Sequence, residues 1–469
     1  MVMGRRDALR QLGLTAAAVA FGGAAMAGCE RATRAAPAVQ HGRTIISWQV
    51  FNMPFTKVGK DLVTQALGSF YAKHPGISVI LYAPNPAQEY PQTGTIAGIL
   101  TGTGPDIPYI SGGGGTVADF LGNGVLIDIS SYVRQAGVSL NAYDTSQLDL
   151  VNLPSGLFGL PNSFATGTMV VNFDVLDEKG LPRPPQDWSY TDWETLAKTL
   201  TVPGQRYGTT IPQGDFIVPS FYYHGFGASV VDPTDPTHCG LNTPGGLECA
   251  QFLFEMLDSG VAEHAWASAQ GIASGQEATG FAWLGNLPQY ALAWQGVNFG
   301  FYPMPRFPQG QYTQTEPYYY GISTHSKHVE EAWLLLHWLC VDTQWQRAAM
   351  RYNFVAPALK SLWSEYITTL TTVAPPLAGK NLEAFATLIY DNRALLDRDF
   401  LYSSAAAKTA LAAWAQNIMS HDVSVTAGIE GACAQVEAIE KIGAQTASEL
   451  QRINALFPAS GTKSNIGKP

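Results

Sequence analysis

The sequence predicts an α/β protein built as two lobes. Strand-like and helix-like runs alternate from about residue 44 to 115, the signature of a parallel sheet with crossover helices. The chain, at 469 residues, is longer than one hydrophobic core usually organises. Further amphipathic helices recur well beyond that first block.

The elements follow in order. Thr44-Ile45-Ile46-Ser47-Trp48 reads as a strand. Val58, Leu62, Ala66, Leu67, Phe70 and Tyr71 recur at helical spacing, and Pro75-Gly76 ends that helix. Ile77 to Tyr82 is a second strand, Tyr90 to Leu100 a helix, and Pro105 to Ile110 a third strand running into the glycine tract Gly112 to Gly115. Ligands in parallel sheets gather at loops beyond the strand C-termini, which here are Trp48 to Asn52 and Ser111 to Gly115. Trp193 to Leu200, Leu247 to Leu257 and Val329 to Val341 read as helices. So does the stretch with Ile429, Cys433, Val436, Ile439 and Ile442 on one face.

Composition narrows the function. The chain is 46% hydrophobic and 14% charged, with a net charge of −10. A basic cluster able to neutralise phosphates is missing, so nucleic acid is not an expected partner. G-x-S-x-G, P-loop, H-E-x-x-H and G-x-G-x-x-G signatures are absent from the sequence. No metal or cofactor is expected: His325 and His328 lie three apart at a helix start without other ligands beside them, and read as capping or surface residues.

The first 28 residues read as a cleaved export signal. Arg5, Arg6 and Arg10 precede an uncharged run, Leu12 to Ala27, too short and too weakly apolar for the ~20 residues of a membrane span. Met26-Ala27-Gly28-Cys29 resembles a bacterial lipoprotein box, which implies lipidation of Cys29. Arg5-Arg6 resembles a twin-arginine leader, with Ala8 where that pattern favours Phe. Residues 29–43 would form a tether and 451–469 a disordered tail. Cys239 and Cys249 flank Gly240 to Gly246, a segment able to double back, and are the candidate pair for a disulfide, with pairing and free thiols both open. Cys340 and Cys433 read as buried thiols.

Four motifs in order resemble the extracellular solute-binding proteins of ABC importers, in the sugar-binding branch. They are Gly104-Pro105-Asp106 with Gly124-Val125-Leu126-Ile127-Asp128; Gly159 to Trp188, with Val171 where the family favours Tyr; the Gly280 to Trp283 loop; and Ile322 to Leu335. The resemblance implies a two-lobed periplasmic-binding-protein-like fold with hinge crossings near Asn162–Thr168, Ala273–Thr279 and Asn353–Pro357. Lobe one would hold 44–163 and 276–352, and lobe two 164–275 and 353–450.

The ligand implied is a sugar or oligosaccharide. Aromatic rings cover its C–H faces, while Asn, Gln, Asp and backbone amides bond its hydroxyls. The expected contacts are Trp48, Phe51 and Asn52 after the first strand, and Ser111, Gly112 and Gly113 after the third. Trp283 and Asn286 stand in the loop whose tryptophan often stacks on sugar in the family. Tyr319 and Tyr320 follow, with alternation sending Tyr319 away from its neighbours. Phe164, Thr166, Asp215 and Tyr222 complete the set. The implied mechanism is capture by lobe closure and delivery to permease subunits, by a monomer held to the membrane through its lipid alone. The competing expectations are a lipoprotein glycosidase, and the same fold binding a peptide, polyamine or phosphate ester.

Overall fold

A computed structural model describes residues 42–456, except 51–56, 83–91, 113–115, 215, 236, 354–355, 386, 388–393 and 396–403. The export signal, Cys29, nearly all of the tether and the residues after 456 lie outside the described residues.

The chain opens as β1 (Thr44–Gln49), α1 (Lys57–Lys73), β2 (Ile77–Tyr82), α2 (Gln92–Thr101), β3 (Tyr109–Ser111) and α3 (Thr116–Gly122). A small hairpin, β4 (Asn152–Leu153) with β5 (Gly156–Leu157), precedes the long strand β6 (Leu160–Asn172). Then come α4 (Phe173–Lys179), α5 (Tyr190–Leu200), β7 (Thr209–Thr210), α6 (Ser220–Gly225), α7 (Pro244–Asp258), β8 (Ala262–Glu263), α8 (Ala269–Ser274) and β9 (Thr279–Trp283). The rest runs through β10 (Phe299–Tyr302), β11 (Thr313–Tyr320), α9 (Val329–Cys340), α10 (Thr343–Asn353), β12 (Ala356–Pro357) and α11 (Trp363–Val373). It ends with β13 (Ala394–Leu395), α12 (Ser404–Met419) and α13 (Val425–Leu456).

The buried residues form two clusters. The first gathers Ile46, Phe70, Ile110, Leu160, Phe164, Tyr320, Leu336 and Phe385 among others. The second gathers Met169, Val171, Trp193, Phe221, Leu253, Phe281, Leu411 and Val436 among others. Strand β6 is buried at all 13 positions and contributes to both. β9, β10, β11 and β12 all pair with it antiparallel.

The division drawn from sequence differs from these cores at several points. Phe281, Tyr302, Met304 and Phe307, placed in lobe one, pack in the second cluster, and Ala267 and Ile272, placed in lobe two, pack in the first. Within 353–450, Ala356, Leu362, Trp363, Tyr366, Leu370 and Phe385 pack in the first cluster. Ala407, Leu411, Ile429 and Val436 pack in the second. The cause is β12, which pairs Ala356 with Phe164 and Pro357 with Ser163, on the first-cluster half of β6. That pairing lays α11 against the first core.

The cysteines also pair otherwise than expected. Cys239 bonds Cys433, across 194 residues, and not Cys249. The segment from Gly240 to Gly246 does not double back onto Cys249. Thr243 caps α7 instead, its Oγ1 accepting from Gly246 N at 3.2 Å, and Cys249 turns into the second core as a buried free thiol. Cys340 is a buried free thiol too. On α13 the expected apolar face holds at Ile429, Cys433 and Val436, but Ile442 is 64% exposed. The partner helix α12 is only 16 residues long against the 32 of α13.

Glu277 ties the approach to β9 to the start of α8. Its Oε2 accepts from Ser268 N at 2.9 Å and its Oε1 from Ser268 Oγ at 2.5 Å. Ser268 Oγ in turn accepts from Gly271 N at 2.8 Å. Burial raises the pKa of this carboxyl despite those bonds. The folded state therefore favours the neutral acid, and this contribution to stability is present at acid pH and lost as pH rises through the raised value.

Replacing Cys239 and Cys433 by serine should cost about 2–4 kcal/mol in chemical denaturation, and in the native protein Cys249 and Cys340 should resist thiol labelling until unfolding. A Cβ on Gly167 would lie 1.8 Å from Phe281 Cζ, so Gly167→Ala should lose about 1–3 kcal/mol through overpacking. The stability of Glu277→Gln relative to wild type should rise from acid to neutral pH; a relative stability that falls over that range would contradict the buried-acid account.

Candidate ligand site

Each core carries a small parallel layer. In the first, β1 pairs β2 in parallel from Thr44↔Ile77 to Gln49↔Tyr82, and Trp48 bridges Ile107 in the same sense. Asp106 Oδ2 accepts from Ser47 N and Oγ at 2.8 and 2.6 Å, which fixes the third strand beside the first. Gln49 Oε1 accepts from Tyr109 N and Thr95 Oγ1, at 3.2 and 3.3 Å, and is spent inside the fold. In the second, β7 pairs β8 (Thr209↔Ala262, Thr210↔Glu263), and Tyr207 bridges Glu277 on the approach to β9, all in parallel. It is followed by segments 211–214, 216–218 and 264–268 and by the short 3-10 turn Leu284–Asn286.

A tryptophan pair stands at this second set of loops. Trp266 is 37% exposed and Trp283 half-buried, with ring centroids 5.7 Å apart and planes at 73°. Phe281 lies beneath both, at 5.3 and 6.3 Å. The bond from Ala267 N to Phe281 O, at 3.1 Å, holds the Trp266 loop on β9. Asn286 Nδ2 donates to Tyr290 Oη at 3.5 Å, and Tyr290 Oη donates to Ala267 O at 3.1 Å. Asn286 therefore braces the platform.

The crossing sheet extends this platform toward the first core. Directly paired residues of an antiparallel ladder point to the same face. Tyr318 opposes Ser163, Glu316 opposes Ala165, and Trp283 opposes Gly167. Those three β6 residues are two apart along the strand, so the five side chains and the bare Gly167 share one face. Ser and Ala are small and leave the space above the strand to Tyr318 and Glu316, while the Phe281 ring fills the space over Gly167 beside Trp283. Ser111, opposite Tyr318 on β3, joins the same face and donates from Oγ to Glu316 Oε1 at 2.5 Å. Along β11, Gln314, Glu316 and Tyr318 are half-buried while Thr313, Thr315 and Pro317 are buried. Ser111 is itself buried, so the strip of half-buried hydrogen-bonding groups and aromatic rings begins at Tyr318 and Glu316 and ends at Trp283.

Several sequence candidates lie elsewhere. Trp48 is fully buried, edge-on to Trp345 at 4.9 Å and Tyr320 at 6.0 Å, because it belongs to the strand interior and not to the loop after it. Tyr319 and Tyr320 are buried, and the irregularity between Tyr318 and Tyr319 leaves Tyr318 as the half-exposed member of the run. Phe164 and Thr166 occupy the opposite face of β6. Phe164 stacks on Trp363 at 5.9 Å, and Thr166 Oγ1 donates to Gln314 O at 2.9 Å. Tyr222 is buried in the second core beside Trp193 and Phe221. Gly112 is pressed against Pro317, whose carbonyl oxygen would lie 2.2 Å from an added Cβ. Phe51, Asn52, Gly113 and Asp215 lie outside the described residues.

The strip contains residues that the sequence reading did not name. Glu316 and Gln314 had a signal in the polar alternation of Thr313 to Tyr318. Trp266 had none, since its loop has no period and its relation to Trp283 is purely tertiary. Among the described residues, no group of three His, Cys, Asp or Glu side chains is placed to hold a metal ion, and no helix is long and apolar enough to cross a membrane.

Comparison with known proteins converges on this architecture. A model of the bacterial extracellular solute-binding proteins matches residues 54–341. A binding protein of Brucella abortus (strain 2308) is 24% identical over 170 residues, covering 35% of this chain and 39% of its own length. The galactooligosaccharide-binding protein of Bacillus subtilis (strain 168) is 24% identical over 277 residues, covering 56% of this chain and 62% of that one. The chain thus spans less than two thirds of the length of these relatives. Among solved structures, an ABC substrate-binding protein of Listeria monocytogenes in complex with cycloalternan superimposes with a TM-score of 0.68 at 18% identity, over 85% of this chain and 99% of that one. With two α/β cores joined through one crossing sheet, and a family match over more than half its length, the chain belongs to the bacterial extracellular solute-binding protein family.

Proposed function

We propose that this protein is the solute receptor of an ABC importer for a sugar or oligosaccharide. The observation that carries the reading is the strip from Tyr318 to Trp283. Trp266 and Trp283 offer two ring faces for the C–H surface of a sugar. Glu316, Gln314 and the Tyr318 hydroxyl offer acceptors and donors for its hydroxyls. Such a surface needs no covalent chemistry, only a second lobe to close over it.

Closure draws its free energy from contacts made only when the lobes meet. The crossing strands absorb the bend, as hinge segments do. The closed form is what a permease would recognise. Lipidation at Cys29 would keep a monomeric receptor near that permease, on the outer side of the cell membrane. The Cys239–Cys433 disulfide fits an oxidising compartment of that kind.

A thermal-shift screen over mono- and oligosaccharides should raise the melting temperature with at least one sugar. Shifts confined to peptides, amines or phosphate esters would overturn the sugar reading, and turnover of a glycan would overturn the receptor reading. For the sugar that binds, Trp283→Ala and Trp266→Ala should each weaken affinity by about 1–2 kcal/mol, or roughly 5–30-fold, in a fluorescence titration. Full affinity in both variants would remove the platform from the site.

A further inference from the structure

The loop after β7 holds a backbone conformation that its residue type disfavours. Ile217 has φ 55°, in the left-handed region where a β-branched side chain is a genuine outlier. Val218 N donates to Phe216 O at 2.5 Å, closing a three-residue turn around Ile217, a rare and strained form when φ is positive. Phe216, Ile217 and Val218 are all buried. Gly214 closes on the far side of the same turn, where a Cβ would lie 2.2 Å from the Val218 carbonyl.

Such a conformation persists only where its surroundings over-determine it. Two side chains do so here. Tyr223 Oη donates to Phe216 O at 3.1 Å. His264 Nε2 lies 2.6 Å from Ile217 O; since the carbonyl accepts, the imidazole carries its proton on Nε2. The loops are joined again where Gln213 Nε2 donates to His264 O at 3.4 Å, and where Ile211 N donates to Glu263 O at 2.9 Å. His264 is half-buried and stands two residues before Trp266, on the segment that carries the exposed ring of the aromatic platform.

We infer that His264 is a positioning residue for solute capture, latching the Ile217 turn to the Trp266 segment so that the two loops present one preformed surface. It acts through backbone and not through the solute. The imidazole removes the orphaned carbonyl that the turn would otherwise bury, and the latch limits the ordering that the loops would lose on binding. Without it, Ile217 can relax to negative φ, and the 211–218 loop separates from the platform. The inference rests on the sugar-receptor reading for the identity of the solute, but the latch itself is a property of the unliganded protein.

The test compares full-length wild type with His264→Phe and His264→Gln, the latter placing an amide donor near the Nε2 position. Maltotetraose and a galactooligosaccharide serve as fluorescence probes, and amide hydrogen exchange is followed over 211–218 without ligand. His264→Phe should weaken the binding probe about tenfold or more and speed exchange over 211–218, while His264→Gln stays within about threefold and keeps the loop protected. Unchanged affinity in His264→Phe, equal loss in both variants, or unaltered exchange over 211–218 would each overturn the latch. If neither probe binds wild type, the sugar reading fails for those two glycans and exchange alone decides: faster exchange confined to the two loops supports the latch, and unaltered exchange overturns it.

Discussion

Everything in this fold is referred to one buried strand. β6 gives residues to both cores and pairs with β9, β10, β11 and β12. Interior strands of this kind must satisfy every backbone group through their neighbours, and those neighbours bring their own cores with them. The hydroxyls of Thr166, Thr313 and Thr315 add side-chain bonds to backbone carbonyls across the β6–β11 ladder. Ser163, Ala165 and Gly167 keep one face low. The crossing therefore does two jobs at once: it holds the cores in register and underlies the Tyr318, Glu316 and Trp283 side chains.

Much of the first core was legible in sequence because its code is local. Ile77 to Tyr82 and the helical spacing of Leu67 and Phe70 belong to short, self-sufficient patterns, and Pro75-Gly76 marks the break between them. The second core was harder to delimit. Trp363 and Leu411 look alike as apolar residues on helices, and only the pairing of Ala356–Pro357 with β6 sends α11 to one core while α12 goes to the other. The disulfide was misread for the same reason, since no local pattern links Cys239 to a residue nearly two hundred positions on.

The candidate site divides likewise. Trp283 was reachable through its loop motif. Trp48 was not separable from a ligand contact by sequence, because an indole at a strand end serves equally as core, and the ring contacts with Trp345 and Tyr320 decide the matter. The tyrosine run shows how small the margin is. A single irregularity in the ladder beside Tyr318 determines which hydroxyl meets solvent. Trp266, His264 and the Ile217 turn depend on three loops arriving together, which periodicity does not encode.

The bond between Cys239 and Cys433 also governs the order in which the molecule can be made. A ribosome delivers the chain from its N-terminus, so the first parallel layer is available long before α13 exists. Residues 240–432, which include much of the first core, lie inside the covalent ring. The first core is not complete before Leu382 and Phe385, and the second cannot be sealed until the last helices have emerged. Synthesis thus hands the cell both cores late, and the later one is the half that carries the tryptophan platform.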